Sequence, residues 1–386
     1  MWLSSADCRL DDLVDITSRH TDVALVPHAA EIVEQVVIYE RAAVERAAAK
    51  PEERRALEAE VASVLLDGPG IAVFRGAYDD TSIVDAVSGV FDEIIAEQHA
   101  SGGPAGDHFG KPGANDRIWN ALEKLALRAP DLFVAYYANP VIALASHAWL
   151  GPGYQVTSQV NVVNPGGAAQ AVHRDYHLGF QSNEVAEEFP GHAHRLSPVL
   201  TLQGAVAHCD MPVESGPTLF LPHSQKYTLG YLAWRLPEFR EYFDANHVQL
   251  PLRKGDVVFF NPALFHAAGT NRTVDVRRMA NLLQVSSAFG RAMETVDREL
   301  VVSAIYDDLR KAHVSEAWDW RDLDNVIAAS AEGYSFPTNL DRDQPLGGLA
   351  PMTQAELLRQ ALIEDVDHAT LVARLAELVA RTRTHD

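Results

Sequence analysis

Apolar residues in the first part of the chain recur at helical spacing. Ile32, Val36, Val37, Val44, Leu57, Val61 and Leu65 alternate with charges, which predicts helix over residues 28–66. Pro51 suits the first turn of a second helical segment there. Asp67-Gly68-Pro69-Gly70 stops the run, Ile71 to Phe74 reads as a short strand, and residues 81–95 return to helix. Residues 99–116, rich in Gly, His, Asp and Pro, read as a long loop, and 118–127 and 141–150 as helices.

From about residue 154 the period changes to that of strands. Residues 154–163, 170–177, 200–209, 218–221, 248–252, 256–260 and 278–286 all suit strands, separated by turns such as Lys254-Gly255-Asp256. Residues 180–197 read as a polar, His-rich loop, and 228–244 as an interrupting helix. After 290 helices return, most clearly over 291–312 and 354–381. Many short strands with few helices between them predict an all-β core with flanking helices, an antiparallel sandwich or barrel. The expected organisation is one domain over 1–386: an N-terminal, mainly helical flank (1–150), a catalytic core (151–290) and a C-terminal helical extension (291–386).

Composition narrows the partners. The 386 residues are 47% hydrophobic, and 53 acidic against 32 basic residues give a net charge of -21. So acidic a chain is not expected to bind nucleic acid or an anionic membrane. Two cysteines, Cys8 and Cys209, make no disulfide framework. No apolar run approaches the ~18 residues of a membrane span. The expectation is a cytoplasmic monomer or homodimer acting on a small-molecule substrate, with 354–381 the candidate self-association surface.

His173 and Asp175 carry the chemistry. At positions i and i+2 of a strand, two side chains face the same way and can reach one ion. His266, a few residues beyond the turn-and-strand stretch Leu252–Phe260, supplies a third ligand. Two histidines and a carboxylate leave coordination positions open, as non-haem iron(II) oxygenases require, although zinc accepts the same ligands. Arg277 follows His266 by eleven positions at the start of another strand, and arginine offers a rigid fork of donors to a carboxylate. The stretch Ser215-Gly216-Pro217-Thr218 to Pro222-His223-Ser224 lies between the ligand pair and His266.

These features, in this order, resemble the phytanoyl-CoA dioxygenase family of iron(II)- and 2-oxoglutarate-dependent oxygenases, over about residues 150–288. The resemblance implies a double-stranded β-helix of the jelly-roll, cupin-like type. It implies iron bound by His173, Asp175 and His266, and the far carboxylate of 2-oxoglutarate held by Arg277. It also implies hydroxylation of an unactivated carbon of a small organic molecule, with release of succinate and CO2. Natural-product tailoring is one setting for such chemistry, and desaturation or cyclisation are its redox relatives. Halogenating relatives lack the carboxylate ligand, so Asp175 points to oxygenation. Pro222-His223-Ser224-Gln225 departs from the family's usual Pro-Gly-Ser-His, and Ala268 stands where a small hydroxyl is common. Gln159, Asn161 and Thr218 are therefore the further candidates for cosubstrate contacts. His177, Phe180, Gln181 and His223 are the candidate substrate contacts, with His108 and Trp119 beside them. A non-catalytic cupin-like binding protein is the competing class. A zinc hydrolase is a third, but the chain carries no HExxH helix.

Overall fold

Strand parity builds this molecule, as a computed structural model describing residues 1–101, 114–316 and 318–385 shows. The strands are β1 (Glu31–Val33), β2 (Val36–Glu40), β3 (Ile71–Arg75), β4 (Asn115–Ile118), β5 (Gln155–Val163) and β6 (Thr201–Ala207), followed by β7 (Thr218–Leu221), β8 (Val248–Gln249), β9 (Val257–Phe260), β10 (Phe265–Ala268) and β11 (Arg278–Ser286). Eight of them form a sheet in the order β1-β2-β3-β9-β6-β11-β5-β4, and the other three a second sheet, β10-β7-β8. Within the larger sheet only the β2–β3 pair is parallel.

Successive side chains on a strand point to opposite faces. On the outer face Val37, Tyr39, Ala72, Phe74, Val257, Phe259, Val206, Leu283 and Val160 join the largest hydrophobic cluster. Helices cover that face, among them Ala121–Arg128 and Trp320–Ser330 against β5, Pro51–Leu66 against β3, Ser82–Ala100 against β4 and Pro140–Leu150 against β6, with Arg298–Val314 and His368–Thr382 packed behind them in the same cluster. On the inner face Val36, Ile38, Ile71, Val73, Val258 and Phe260 meet Phe220 and Leu250 beside the small sheet. Truncating a residue buried as fully as Phe259 would cost about 3–5 kcal/mol. Farther along β5, β6 and β11 the inner face turns polar and lines a cavity.

The all-β jelly-roll expectation is corrected. The chain is 47% helix and 16% strand, and its two sheets are open and do not close into a barrel. Half of the large sheet's strands come from before residue 120, outside the 151–290 core, and of these the sequence predicts only β3 as strand. Residues 31–40 form a hairpin rather than helix. Glu34 and Gln35 both adopt positive φ, which makes the tight turn, and β-branched Val37 and Ile38 pair on both sides. Residues 170–177 are a strap touching β10 by one isolated bridge, and the 180–197 loop contains helices Asn183–Glu187 and Gly191–Leu196. The 354–381 run is two helices, Gln354–Ile363 and His368–Thr382, separated by Asp365 at φ 52°. Leu357, Leu358, Leu362, Leu371, Leu375 and Leu378 of these helices are buried in the chain's own core. Among the described residues no helix is long and apolar enough to cross a membrane.

Candidate metal centre

His173 and His266 face each other across that isolated antiparallel bridge. The His173 N–H donates to the His266 carbonyl at 2.9 Å, and the His266 N–H returns the bond at 3.1 Å. Asp175 extends the strap, its N–H donating to Pro262 O at 3.0 Å. The bridge thereby sets all three side chains on one side. Their ligand atoms lie within 4.8 Å of one another. Asp175 Oδ1 is 3.8 Å from His173 Nε2, and Oδ2 is 3.4 Å from His266 Nε2.

Both rings are held by the same device. His173 Nδ1 lies 2.9 Å from Ala171 O, and His266 Nδ1 lies 2.8 Å from Leu264 O. A carbonyl only accepts, so each Nδ1 carries the proton and each Nε2 keeps its lone pair for a metal. His266 Nε2 is buried and has no hydrogen-bond partner, as a ligand atom awaiting an ion would be. Burial works to raise the Asp175 carboxyl. The imidazoles of His173 and His266 and the Gln203 amide overcome it and hold that carboxyl well below the usual carboxylate range. Gln203 Nε2 donates to Asp175 Oδ2 at 2.5 Å. The donor set therefore fits a divalent metal on two neutral imidazoles and one carboxylate.

Arg174, between the two strap ligands, points the opposite way and anchors the strap. It is 2% exposed, and its Nη2 donates to Ser224 O at 2.5 Å and Tyr227 O at 3.1 Å. Its guanidinium lies over the rings of Tyr231 (5.2 Å) and Phe265 (5.0 Å). Burial lowers its pKa to about 10. Gly230 makes room for it: a Cβ there would sit 1.9 Å from Arg174 Cζ. On the other side Ser224 Oγ accepts from the Phe265 N–H at 2.8 Å, fixing the strand that carries His266.

The triad borders a cavity of about 190 Å³. Of the cosubstrate candidates, Gln159, Asn161 and Thr218 line it. Arg277 does not. It lies on the other side of the sheet, pairing with Asp92 at 2.5 Å. Its neighbour Arg278 lines the cavity instead, sharing a face with Ala280, Leu282 and Gln284 of β11. The one-residue offset follows from strand alternation. Arg278 is 6% exposed, and burial lowers its pKa to about 10. Its Nη1 reaches Gly269 O at 3.5 Å, and among the described residues no carboxylate pairs with it. A buried, unpaired guanidinium is a seat for an anion.

Of the substrate candidates only Phe180 lines the cavity, joined there by Trp119. Tyr176 and His177, both at positive φ, turn the chain away directly after Asp175. His177 Nε2 accordingly lies 3.3 Å from Thr201 Oγ1, and the Gln181 carbonyl accepts from Arg235 Nη2 at 2.6 Å. His223 is buried beside Lys226 and the Pro69 carbonyl, away from the cavity. His108 lies outside the described residues. Sequence reasoning passed over Gln203, Arg278, Arg117 and Met293, all of which line the cavity. Inward parity on β6 and β11 was the available signal for the first two.

Residues 41–279 match the model of the family described as phytanoyl-CoA dioxygenase (PhyH). The chain belongs to that family. With the family membership, the His173–Asp175–His266 triad makes this the active site of a non-haem Fe(II)/2-oxoglutarate-dependent enzyme acting on a small molecule. No curated protein matches the chain. Among solved structures, the non-heme alpha ketoglutarate dependent epimerase SnoN from nogalamycin biosynthesis is similar, with 21% identity and a TM-score of 0.40, covering 67% of this chain and 88% of its own. The carbocyclase SnoK of the same biosynthesis has 21% identity and a TM-score of 0.43, covering 59% and 83%. AviO1 from Streptomyces viridochromogenes Tue57 has 16% identity and a TM-score of 0.44, covering 61% and 97%.

Proposed function

We propose that this enzyme oxidises a small organic molecule by removing hydrogen from one of its carbons, using Fe(II), 2-oxoglutarate and dioxygen. The observation that carries the reading is one cavity holding both the facial triad and the unpaired cation Arg278. His173 Nε2, His266 Nε2 and an Asp175 oxygen would hold the iron. Arg278 would take the far carboxylate of 2-oxoglutarate, with Thr218 and Asn161 beside it in the same cavity. Bound together, iron and 2-oxoglutarate supply an oxidant strong enough for an unactivated C–H bond, with succinate and CO2 as coproducts.

The protein's share is positioning. The carbonyls of Ala171 and Leu264 hold both histidine tautomers, and Gln203 holds the orientation of Asp175. Arg117 fixes Gln159, its Nη2 donating to Gln159 Oε1 at 2.6 Å. Trp119, Phe180 and Met293 offer apolar surface for the substrate's body. Hydroxylation, desaturation and ring closure share the removal of hydrogen from carbon, and the same arrangement serves each. Product mass separates them: hydroxylation adds one oxygen atom, whereas desaturation or ring closure removes two hydrogens.

The decisive experiment adds Fe(II) and 2-oxoglutarate anaerobically and looks for a visible charge-transfer band. Succinate release and oxygen uptake are then followed across a substrate screen. Absence of 2-oxoglutarate affinity in the Fe(II)-loaded protein would sink the proposal.

A further inference from the structure

We infer that the molecule oxidised here is a neutral, hydroxyl-bearing compound, recognised through the side-chain carbonyl of Gln203. The inference builds on the iron/2-oxoglutarate reading and adds the class of substrate to it.

The orientation of a glutamine amide is ordinarily ambiguous. Here chemistry decides it. An ionised carboxylate only accepts, so the Gln203 atom 2.5 Å from Asp175 Oδ2 is the NH2 group. The carbonyl Oε1 is then committed to the other side. It is buried and has no hydrogen-bond partner, on a residue that lines the cavity. A buried acceptor left unsatisfied is costly, and a ligand bringing a donor removes the cost. Gln203 sits directly opposite Gln284 on β11, whose side-chain oxygen is also buried without a partner, as is Asn161 Oδ1 on β5. Whichever way those two amides are turned, they add hydrogen-bonding capacity to the same wall.

The charge of the ligand follows from its surroundings. Arg278 lies six residues along β11 from Gln284, about 20 Å away at strand rise, and is reserved for the cosubstrate. Arg117, the other cation lining the cavity, donates to Gln159 and lies 4.8 Å over the ring of Trp119. A carboxylate or phosphate at Gln203 would face amide oxygens and the Asp175 carboxylate, in a chain of net charge -21. An ammonium group would have the Asp175 carboxylate as its nearest anion, but that group already accepts from Gln203 and is committed to the divalent metal, so the buried positive charge would be left uncompensated. A hydroxyl meets neither penalty, and the apolar rim of Trp119, Phe180 and Met293 suits the carbon frame that carries it.

Phenol, anisole and benzoate test this as probes, since they share a ring and differ only in donor and charge. Binding to the full chain is measured by ligand-observed NMR, on metal-free protein and on protein holding Fe(II) and 2-oxoglutarate without oxygen; benzoate is compared with the other two only on the loaded protein, where 2-oxoglutarate occupies Arg278. Phenol is expected to bind about five- to tenfold more tightly than anisole, the value of one hydrogen bond, and benzoate more weakly than either. Gln203→Leu is expected to erase the preference for phenol over anisole. Gln284→Leu, which leaves the Asp175 contact intact, is expected to reduce that preference. Equal binding of phenol and anisole, tighter binding of benzoate, no binding by any probe, or a preference that survives Gln203→Leu would overturn the inference. A phenol preference in protein that forms no charge-transfer band would instead count against the iron/2-oxoglutarate reading alone.

Discussion

Replacing Arg278 and Arg277 in turn separates two neighbours that differ in which side of the sheet they occupy. Burial lowers the Arg278 pKa from the ordinary guanidinium range to about 10. At 1.36 kcal/mol per unit, keeping that cation inside costs the ligand-free protein about 3 kcal/mol. Arg278→Met should therefore leave the ligand-free melting temperature unchanged or raised. The same substitution removes the partner of an incoming carboxylate, a loss of about 2–5 kcal/mol, which weakens 2-oxoglutarate binding at least ~30-fold. Arg277→Met breaks only a half-exposed pair with Asp92, worth about 0.2–1 kcal/mol of stability, and leaves 2-oxoglutarate binding alone. The assay is the melting temperature of anaerobic Fe(II)-loaded protein as 2-oxoglutarate is titrated. A ligand at one hundred times its Kd stabilises by about 2.7 kcal/mol. If Arg278→Met keeps that rise, or Arg277→Met loses it, the assignment from strand parity is refuted.

Three further outcomes are expected. Gly230→Ala drives a methyl group into the Arg174 guanidinium, and should cost about 2–3 kcal/mol by chemical denaturation and loosen the strap enough to weaken Fe(II) binding; unchanged iron affinity would mean that Arg174 does not anchor the ligands. Ser224→Ala leaves the buried Phe265 N–H without its acceptor, a loss of about 1–3 kcal/mol, with iron affinity falling roughly 10–100-fold as for other supports of a metal ligand; a metal titration checks it. His208 is buried between Ser88 Oγ (2.8 Å) and the Tyr136 hydroxyl (2.9 Å), and burial lowers its pKa to about 3. Its folded pKa lies below the ordinary 6.5, so its contribution is full above pH 6.5 and drains away toward pH 3, by up to ~1.4 kcal/mol per unit. His208→Leu should flatten that part of the acid unfolding curve, and an unaltered curve would rule out His208 as its cause.

The triad was legible in the sequence because its chemistry is local. His173 and Asp175 share a side through their spacing, and His266 follows a clear turn and strand. That Arg278 rather than Arg277 lines the cavity is not legible in the sequence because β11 is buried on both faces: Met279, Leu283 and Val285 pack under helices while Ala280 and Leu282 look inward. Apolar alternation cannot label the cavity side when both sides are apolar. The hairpin at 31–40 was hidden for a related reason. Ile32, Val36 and Val37 fit a helical stripe as well as a strand, and only the Glu34-Gln35 turn decides between them. The extent of the sheet was only partly legible: Ile71–Phe74 reads as a strand, but β2, β3 and β4 join the sheet by long-range pairing that no local pattern announces. Gln203 was invisible for a different reason: its meaning comes from contact with Asp175, 28 positions away.

The division of the large sheet by parity also bears on how such an enzyme can diversify. Residues 159, 161, 203, 207, 278 and 284 face the cavity, whereas their neighbours Val160, Val162, Leu202, Val206, Met279, Leu283 and Val285 face the other side of the sheet. Substitution at the first set changes what is held beside the iron without disturbing the helical packing that supports the frame. A mutant library confined to those positions would sample specificity with little loss of folded protein, and one shifted by a single residue along each strand would do the reverse.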